Sequence, residues 1–396
     1  MDLTTGPRPA TSIDPYDPMV LGPDPRQLDS WLAIAEDGTV TFFSGKNDNG
    51  QGLGTAFRQL VADELDAPLE RITIVFGDTQ RTPDQRGASA SDGVRGGGPP
   101  LRKACAEARR VLIEHAAQRL GVSVEELTVR DGVISVRGDG TRAVSYGQLV
   151  GGQRLNSTLQ WNGEFGRTLD VTGQATPKTP DQFRVIGQPI PREDIPPIVF
   201  GQPHYPVDVR VPGMLHGRSI KPPVAGAELV SVDAGSVRNI LGLVKVVTRG
   251  DYVGVVCERE EQAIKAATEL QVNWSNPEPV FPTDSDGLYD YMRITPHRFE
   301  QVGEDVGNVD EAFARAARIV EAEYRWPFQA HASFGPGCAV ADWRDGELTI
   351  LYGHPEAVCD AAWRGAVSRH TAGEGPVCLG ARPRLLWPQR CRRCWV

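Results

Sequence analysis

Three stretches carry residue types whose spacing could do chemistry. The first is GKNDNGQGLGTA, residues 45–56. Gly45, Gly50, Gly52 and Gly54 let a backbone approach a ligand closely, and a helix opening near Thr55 would present free N–H groups and a positive dipole end to a pyrophosphate. The Gln51 amide could donate to an anionic or oxo ligand. The second is FGDTQRTPDQRGASASDGVRGGG, residues 76–98, where Ala88, Ser89, Ala90 and Ser91 form a small-residue loop that could cradle phosphate. The third is RWPFQAHASFGP, residues 325–336, with Gln329 and His331 among aromatics. Each has a plainer reading: a tight turn, a polar linker and a core histidine. The glycine spacing is neither a dinucleotide-fold fingerprint nor a P-loop. No Ser-His-Asp spacing and no complete set of metal ligands emerges.

The elements that must position these residues read as an α+β chain. WLAIAEDGTVTFFSG (31–45) is two strands around an Asp37-Gly38 turn. GTAFRQLVADEL (54–65) places Phe57, Leu60, Val61 and Leu65 on one helical face. RITIVFGDT (71–79) has the composition of a buried strand. Pro99 and Pro100 stand at a helix-opening position before LRKACAEARRVLIEHAAQRLG, and Gly121 closes that helix. Ser123 and Glu126 form a capping box, and LTVRDGVISV (127–136) is a hairpin. Residues 151–223 are rich in Pro and Gly and read as a shaped connector. Residues 241–274 give strand, turn, strand, helix, strand, with Ala263, Ala266, Ala267 and Leu270 on the inner helical face. A helix over 309–320, a strand at EAEYRW (321–326) and a hairpin over 337–351 follow.

Composition narrows the function classes. The chain has 396 residues, room for two or three cores, and a net charge of −9, which argues against general binding to nucleic acid or anionic membranes. No apolar run reaches the length of a membrane span, and the first 29 residues, an extended arm by composition, lack a Sec or twin-arginine pattern. A cytoplasmic location is expected. Before residue 351 only Cys105, Cys257 and Cys338 occur, far apart, as buried or free thiols would in a reducing compartment.

Taken together and in this order, the motifs resemble the molybdopterin-binding large subunit of the xanthine dehydrogenase/aldehyde oxidase family, isoquinoline 1-oxidoreductase beta-subunit type. The resemblance runs from about Trp31 to Thr349. It rests on W-L-x-I-x-x-D-G-x-V-T, G-K-x-x-x-G-Q-G, VADELDAPLER, GDTQRTPDQ, VIGQPIPREDIP, VRVPGMLHGRSIKPP and PFQAHASFGPGCAVAD. It implies an α+β fold with molybdopterin-binding segments permuted around an α/β hammerhead domain. The implied boundaries are a first cofactor segment over 30–150, a connector over 151–194, the hammerhead over 195–280 and a second cofactor segment over 281–350. It implies molybdenum in molybdopterin cytosine dinucleotide, with Gln51 donating to the apical oxo and Gly50 and Gly52 giving close passage. Ala88, Ser89, Ala90 and Ser91 would touch the dinucleotide tail, and Gln329 and His331 would sit on the cofactor side. The implied reaction is hydroxylation of an aldehyde or N-heteroaromatic molecule with water as oxygen source. Electrons would leave through a small (alpha) subunit carrying 2Fe-2S clusters, since no ferredoxin-type cysteine cluster lies on this chain. Two asparagines, Asn47 and Asn49, and Gly335 depart from the usual family pattern.

Residues 351–396 differ from everything before them. They contain no lysine, more arginines than acids and four of the seven cysteines. Cys391 and Cys394 are half of a zinc pattern with no second half. Read one base later, the codons available from Gly353 permit GTQKPFAMRRGVA, and those from Pro383 permit PGCYGRNDADDV. Both are continuations the family shows after PFQAHASFGP, in the same order. The tail therefore reads as out of frame from about residue 351. The glutamate that serves the family as general base near its far C-terminus is not encoded, so no catalytic residue is assigned to this chain. A non-catalytic remnant that keeps only part of the fold is the rival reading. A stand-alone phosphate- or nucleotide-binding protein is a third.

Overall fold

The computed structural model describes residues 23–78, 80–88, 91–202, 205–278, 281–282, 284–297, 303–304, 306–327, 329, 337–344 and 347–352. Helix and sheet are mixed, and the described residues divide into two units. One runs as far as Val209 and includes the hairpin of β14 (Ala339–Arg344) and β15 (Glu347–Tyr352). The other runs from Arg210 to Gly337.

The first unit begins with β1 (Leu32–Ile34) and β2 (Val40–Ser44), antiparallel with Leu32 opposite Phe42 and Ile34 opposite Val40. Gly38 turns the chain at φ +83°, and the Asp37 carboxylate accepts the Thr39 N–H at 2.8 Å. β3 (Ile72–Phe76) lies parallel to β2, which requires a crossover, and α1 (Leu53–Leu65) supplies it. α1 buries Phe57, Val61 and Leu65 of the stripe read from the sequence and adds Leu53, while Leu60 is only half-buried. Phe57 meets Phe42 edge-on at 5.8 Å, and burying such a ring contributes about 2–3 kcal/mol. β3 is less buried than its composition suggested: only Ile72 is fully covered, because the strand forms the edge of the sheet.

α2 (Asp92–Leu120) differs from expectation at its start. The prolines do not open it; Pro99 and Pro100 lie inside, and the helix begins seven residues earlier, through the glycine run. Packing explains this. A Cβ on Gly97 would stand 2.8 Å from both Lys46 Cγ and Phe57 Cζ, and one on Gly93 would stand 3.2 Å from Leu53. The glycines bring the α2 backbone against α1 and the loop before it, and that contact outweighs the two N–H groups the prolines lack.

β4 (Leu127–Arg130), β5 (Val133–Val136) and β6 (Asp139–Ser145) form an antiparallel meander, entered through the expected Ser123–Glu126 box. α3 (Tyr146–Val150) follows, and the buried Tyr146 hydroxyl donates to the Leu65 carbonyl at 2.6 Å. β7 (Gln160–Trp161) and β8 (Val171–Thr172) pair briefly, and α4 (Ile195–Val199) is a single turn-rich segment.

In the second unit β9 (His216–Ile220), β11 (Leu243–Arg249) and β12 (Tyr252–Cys257) form one antiparallel sheet with β12 central. β10 (Leu229–Asp233) pairs with β13 (Gln271–Trp274). α5 (Glu260–Glu269) closes the core through Ala263 and Ala266, whose small side chains let the helix lie close above Val253 and Val255. α6 (Ser285–Ile294) and α7 (Val309–Arg315) bury no residue. α7 stops five residues short of the expected end, and residues 321–326 form no strand: their alternation of apolar and charged residues finds no neighbouring strand among the described residues.

Candidate functional site

Two of the three stretches singled out by sequence leave the carboxyl ends of β2 and β3, and the structure brings those two together. The Ser44 hydroxyl donates to Gln85 Oε1 at 2.9 Å, and the Gly45 N–H donates to the same oxygen at 3.0 Å. A Cβ on Gly45 would lie 2.1 Å from the Pro83 carbonyl oxygen. Gly45 is therefore required by the crossing of two loops, not by a ligand.

Lys46 is the hinge of this crossing. Its side chain is 1 % exposed, and Nζ donates to Asp92 Oδ2 at 2.8 Å and to the Gly87 carbonyl at 3.2 Å. Burial lowers the ammonium pKa, and Asp92 opposes that shift. One charge pair thus joins the glycine loop, the small-residue loop and the first turn of α2. Beside it Asp84 is buried, which pushes its carboxyl pKa up, while its Oδ1 accepts the Arg86 N–H at 2.9 Å.

The start of α1 corrects a second expectation. Asp48 Oδ1 accepts the N–H groups of Gly50 (3.1 Å) and Gly52 (3.2 Å), and Oδ2 accepts that of Gly54 (2.8 Å). The place expected to hold a pyrophosphate is filled by the protein's own carboxylate, which satisfies the free amides and the helix dipole. Gly52, at φ +78°, is the N-cap. The space beside it is taken by Arg192, whose Nε would lie 2.8 Å from an added Cβ. Gly50, at φ +97°, has open space beside it. Gln51 is exposed, with Nε2 donating to the Asn47 carbonyl at 2.9 Å and Oε1 accepting the Asn49 N–H at 2.6 Å.

Of the other residues named from sequence, Ala88 is half-buried and Ser91 is exposed, capping α2 at φ +60°. Ser89 and Ala90 lie outside the described residues. Gln329 is exposed and belongs to the second unit, and His331 lies outside the described residues, as do Cys391 and Cys394. Sequence reading missed Lys46, Asp48, Gln85, Asp92 and Arg192. Only Asp48 carried a local signal, an acid just before a glycine-led helix start. The others act across 40 to 142 residues of chain and leave no local trace.

A family-implied anionic cofactor fits one part of this arrangement. The open side of Gly50 and the exposed Gln51 amide suit an acceptor atom approaching from solvent. The α1 terminus does not suit a phosphate. Nor does the cleft of about 360 Å³ beside β3, lined by the carboxylates of Asp48, Glu70, Glu193 and Asp194 against the single guanidinium of Arg58. Among the described residues no group of three or more His, Cys, Asp or Glu could hold a metal ion, and no helix is long and apolar enough to cross a membrane.

Comparison with known proteins agrees with the motif order. The Molybdopterin cofactor-binding domain family matches residues 16–185, and a second family of the same description matches 294–354. The B chain of nicotinate dehydrogenase from Pseudomonas putida is 38 % identical over 364 residues, 88 % of this chain and 29 % of its own. The beta chain of isoquinoline 1-oxidoreductase from Brevundimonas diminuta is 30 % identical over 347 residues, 78 % of this chain and 44 % of its own. A membrane-bound aldehyde dehydrogenase (pyrroloquinoline-quinone) of Gluconacetobacter polyoxogenes is 27 % identical over 365 residues, 88 % of this chain and 45 % of its own. The family matches point to a class of molybdopterin-dependent oxidoreductases. Within it, the chain belongs to the molybdenum-binding large subunits of the xanthine dehydrogenase family. It spans less than half the length of these curated relatives.

Proposed function

We propose that the chain is a large-subunit fragment of a molybdenum hydroxylase that oxidises an aldehyde or an N-heteroaromatic molecule, with water as the oxygen donor. The observation that carries this reading is the pair of cofactor-domain matches, 16–185 and 294–354, standing on either side of the β9–β13 sheets. That order supports a cofactor domain permuted around a hammerhead-type unit at 195–280, with the connector at 151–194 and the second cofactor segment at 281–350. Two relatives are named for N-heterocycles and one for an aldehyde, which favours those substrate classes.

In this reading the cofactor is molybdopterin cytosine dinucleotide, and it supplies the two-electron redox chemistry. Gly50 and Gly52 would give the loop its shape, and the Gln51 amide would donate to an acceptor on the cofactor. The loop of Ala88, Ser89, Ala90 and Ser91 meets the dinucleotide tail, and Gln329 and His331 come from the second cofactor segment. A small subunit with 2Fe-2S clusters takes the electrons.

The second family match ends at residue 354, within three residues of the start of the stretch read from the sequence as out of frame. This is in keeping with the rival reading of the polypeptide as written, in which residues 351–396 are out of frame and the chain does not turn over. Co-expression with an iron–sulfur partner in a molybdenum-replete host separates the readings. The polypeptide with one base restored near residue 351 is expected to carry stoichiometric molybdenum, release cytosine nucleotide on acid hydrolysis and reduce a dye with an aldehyde or N-heterocycle. The polypeptide as written is expected to do none of these. Stoichiometric molybdenum and dye-linked oxidation by the latter would contradict the frame reading, and a metal-free restored chain would contradict the function.

A further inference from the structure

We propose that Arg192 is a positioning residue for the loop of Gly50, Gln51 and Gly52, carried there by a strap that buried acids of α1 and α2 fasten to the helices. This rests on the reading of that loop as the cofactor contact.

The strap, residues 172–194, has almost no secondary structure of its own beyond one 3-10 turn at Pro180–Gln182. Six of its backbone N–H groups donate to carboxylates of α1 and α2 instead. Glu107 Oε2 accepts the amides of Gln174 (2.7 Å) and Ala175 (3.0 Å), and Glu64 Oε2 accepts that of Lys178 (3.1 Å). Asp63 accepts three in succession: Arg184 (2.8 Å), Val185 (3.1 Å) and Ile186 (2.6 Å). The Lys178 ammonium pairs with Asp66 at 2.6 Å, and Gln59 holds the carbonyls of Val185 (2.9 Å) and Gln188 (3.2 Å). Asp63, Glu64 and Glu107 are 1–2 % exposed, so these charges are tolerable only because amides and cations surround them. The acids of VADELD are therefore a fastening, not an acid–base apparatus.

Past Gly187, at φ +85°, the chain runs Gln-Pro-Ile-Pro to Arg192. Pro189 and Pro191 fix their φ angles and stiffen the approach. Arg192 Nη2 donates to the Gly50 carbonyl at 2.7 Å, and Nε donates to Asp194 at 2.9 Å. The next amide, Glu193, donates to Thr55 Oγ1 at 3.3 Å. Gly50 is thus held from both sides: its N–H by Asp48, its carbonyl by Arg192. Gln51 between these anchors bonds only to the backbone of its own loop, leaving its amide at the surface. The bond from Arg192 to Gly50 spans 142 residues and fixes where that amide stands.

Hydrogen exchange of the full 396-residue chain, followed by mass spectrometry, tests this without any cofactor, so its failure is distinct from failure of the cofactor reading. Arg192 is partly exposed, and Arg192→Ala is expected to keep its fold. That variant should speed exchange over residues 47–54 by roughly tenfold while residues 174–186 stay at the wild-type rate. Arg192→Lys retains a donor for the Gly50 carbonyl and should recover part of the protection. Asp63→Asn should loosen both stretches. Wild-type exchange at 47–54 in Arg192→Ala, or a strap released by Asp63→Asn with the loop unchanged, would overturn the proposal.

Discussion

The glycine-loop region and the stretch from α6 to residue 327 are built from similar raw material, apolar residues spaced by acids and arginines, with opposite results. Around the loop the apolar positions are covered and even the charges are buried: Lys46 on Asp92, Glu64 on Arg102, Glu107 on Arg110. From Ser285 onward neither helix buries a side chain, and Phe313, Tyr324 and Trp326 are 56 %, 74 % and 72 % exposed. The helices are nonetheless well specified. Asp284 caps α6 through the Gly287 N–H at 2.7 Å, and Asn308 caps α7 through Glu311 at 3.1 Å. Local signals make helices in both regions, but a core needs partner surface, and of these two regions the described residues supply it only to the first.

The comparison can be broken most sharply at Lys46. Lys46→Met is expected to destabilise the chain by about 3–5 kcal/mol in a urea titration, since it strips the partner from a partly buried Asp92 and leaves the Gly87 carbonyl unpaired. A smaller loss, about 1–3 kcal/mol, is expected for Gly97→Ala, where the added methyl meets Phe57 and Lys46 in a space already closed.

The strap gives a pH-dependent test. Burial works against the Glu107 charge, but the Arg110 guanidinium and the amides of Ala175 and Gln174 outweigh it and hold the carboxyl below the usual glutamate value. A depressed folded value stabilises the protein above the unfolded pKa, and that contribution is lost as pH falls through the folded value. Glu107→Gln should therefore flatten the acid limb of a stability–pH curve below about pH 4.5. An unchanged limb would remove Glu107 from the fastening. At the other extreme, Phe313→Ser is expected to move stability by less than about 0.5 kcal/mol while improving solubility. A large loss there would mean that α7 has a core after all.

Much of this is legible in the sequence wherever the cause is local. The Asp37-Gly38 hairpin, the α1 stripe, the Ser123–Glu126 box, the Gly121 stop and the α5 face all follow from residues a few positions apart. The start of α2 escapes a sequence reading because proline and glycine preferences are local, whereas the reason for Gly97 is contact with Phe57, forty residues away. The strand expected at 321–326 has the right alternation but no described neighbour. At the site, the loops are legible and their fastenings are not. The choice of Asp48 over a bound anion, and of Arg192 beside Gly52, depends on tertiary contacts.

In the proposed reading, the exposed face after Ser285 would be covered once the frame near residue 351 is restored. The most direct test of this reading compares hydrogen exchange over residues 309–327 in the polypeptide as written and in the same chain with one base restored near residue 351. Strong protection in the restored chain alone is the predicted result. Equal, rapid exchange in both would contradict the account.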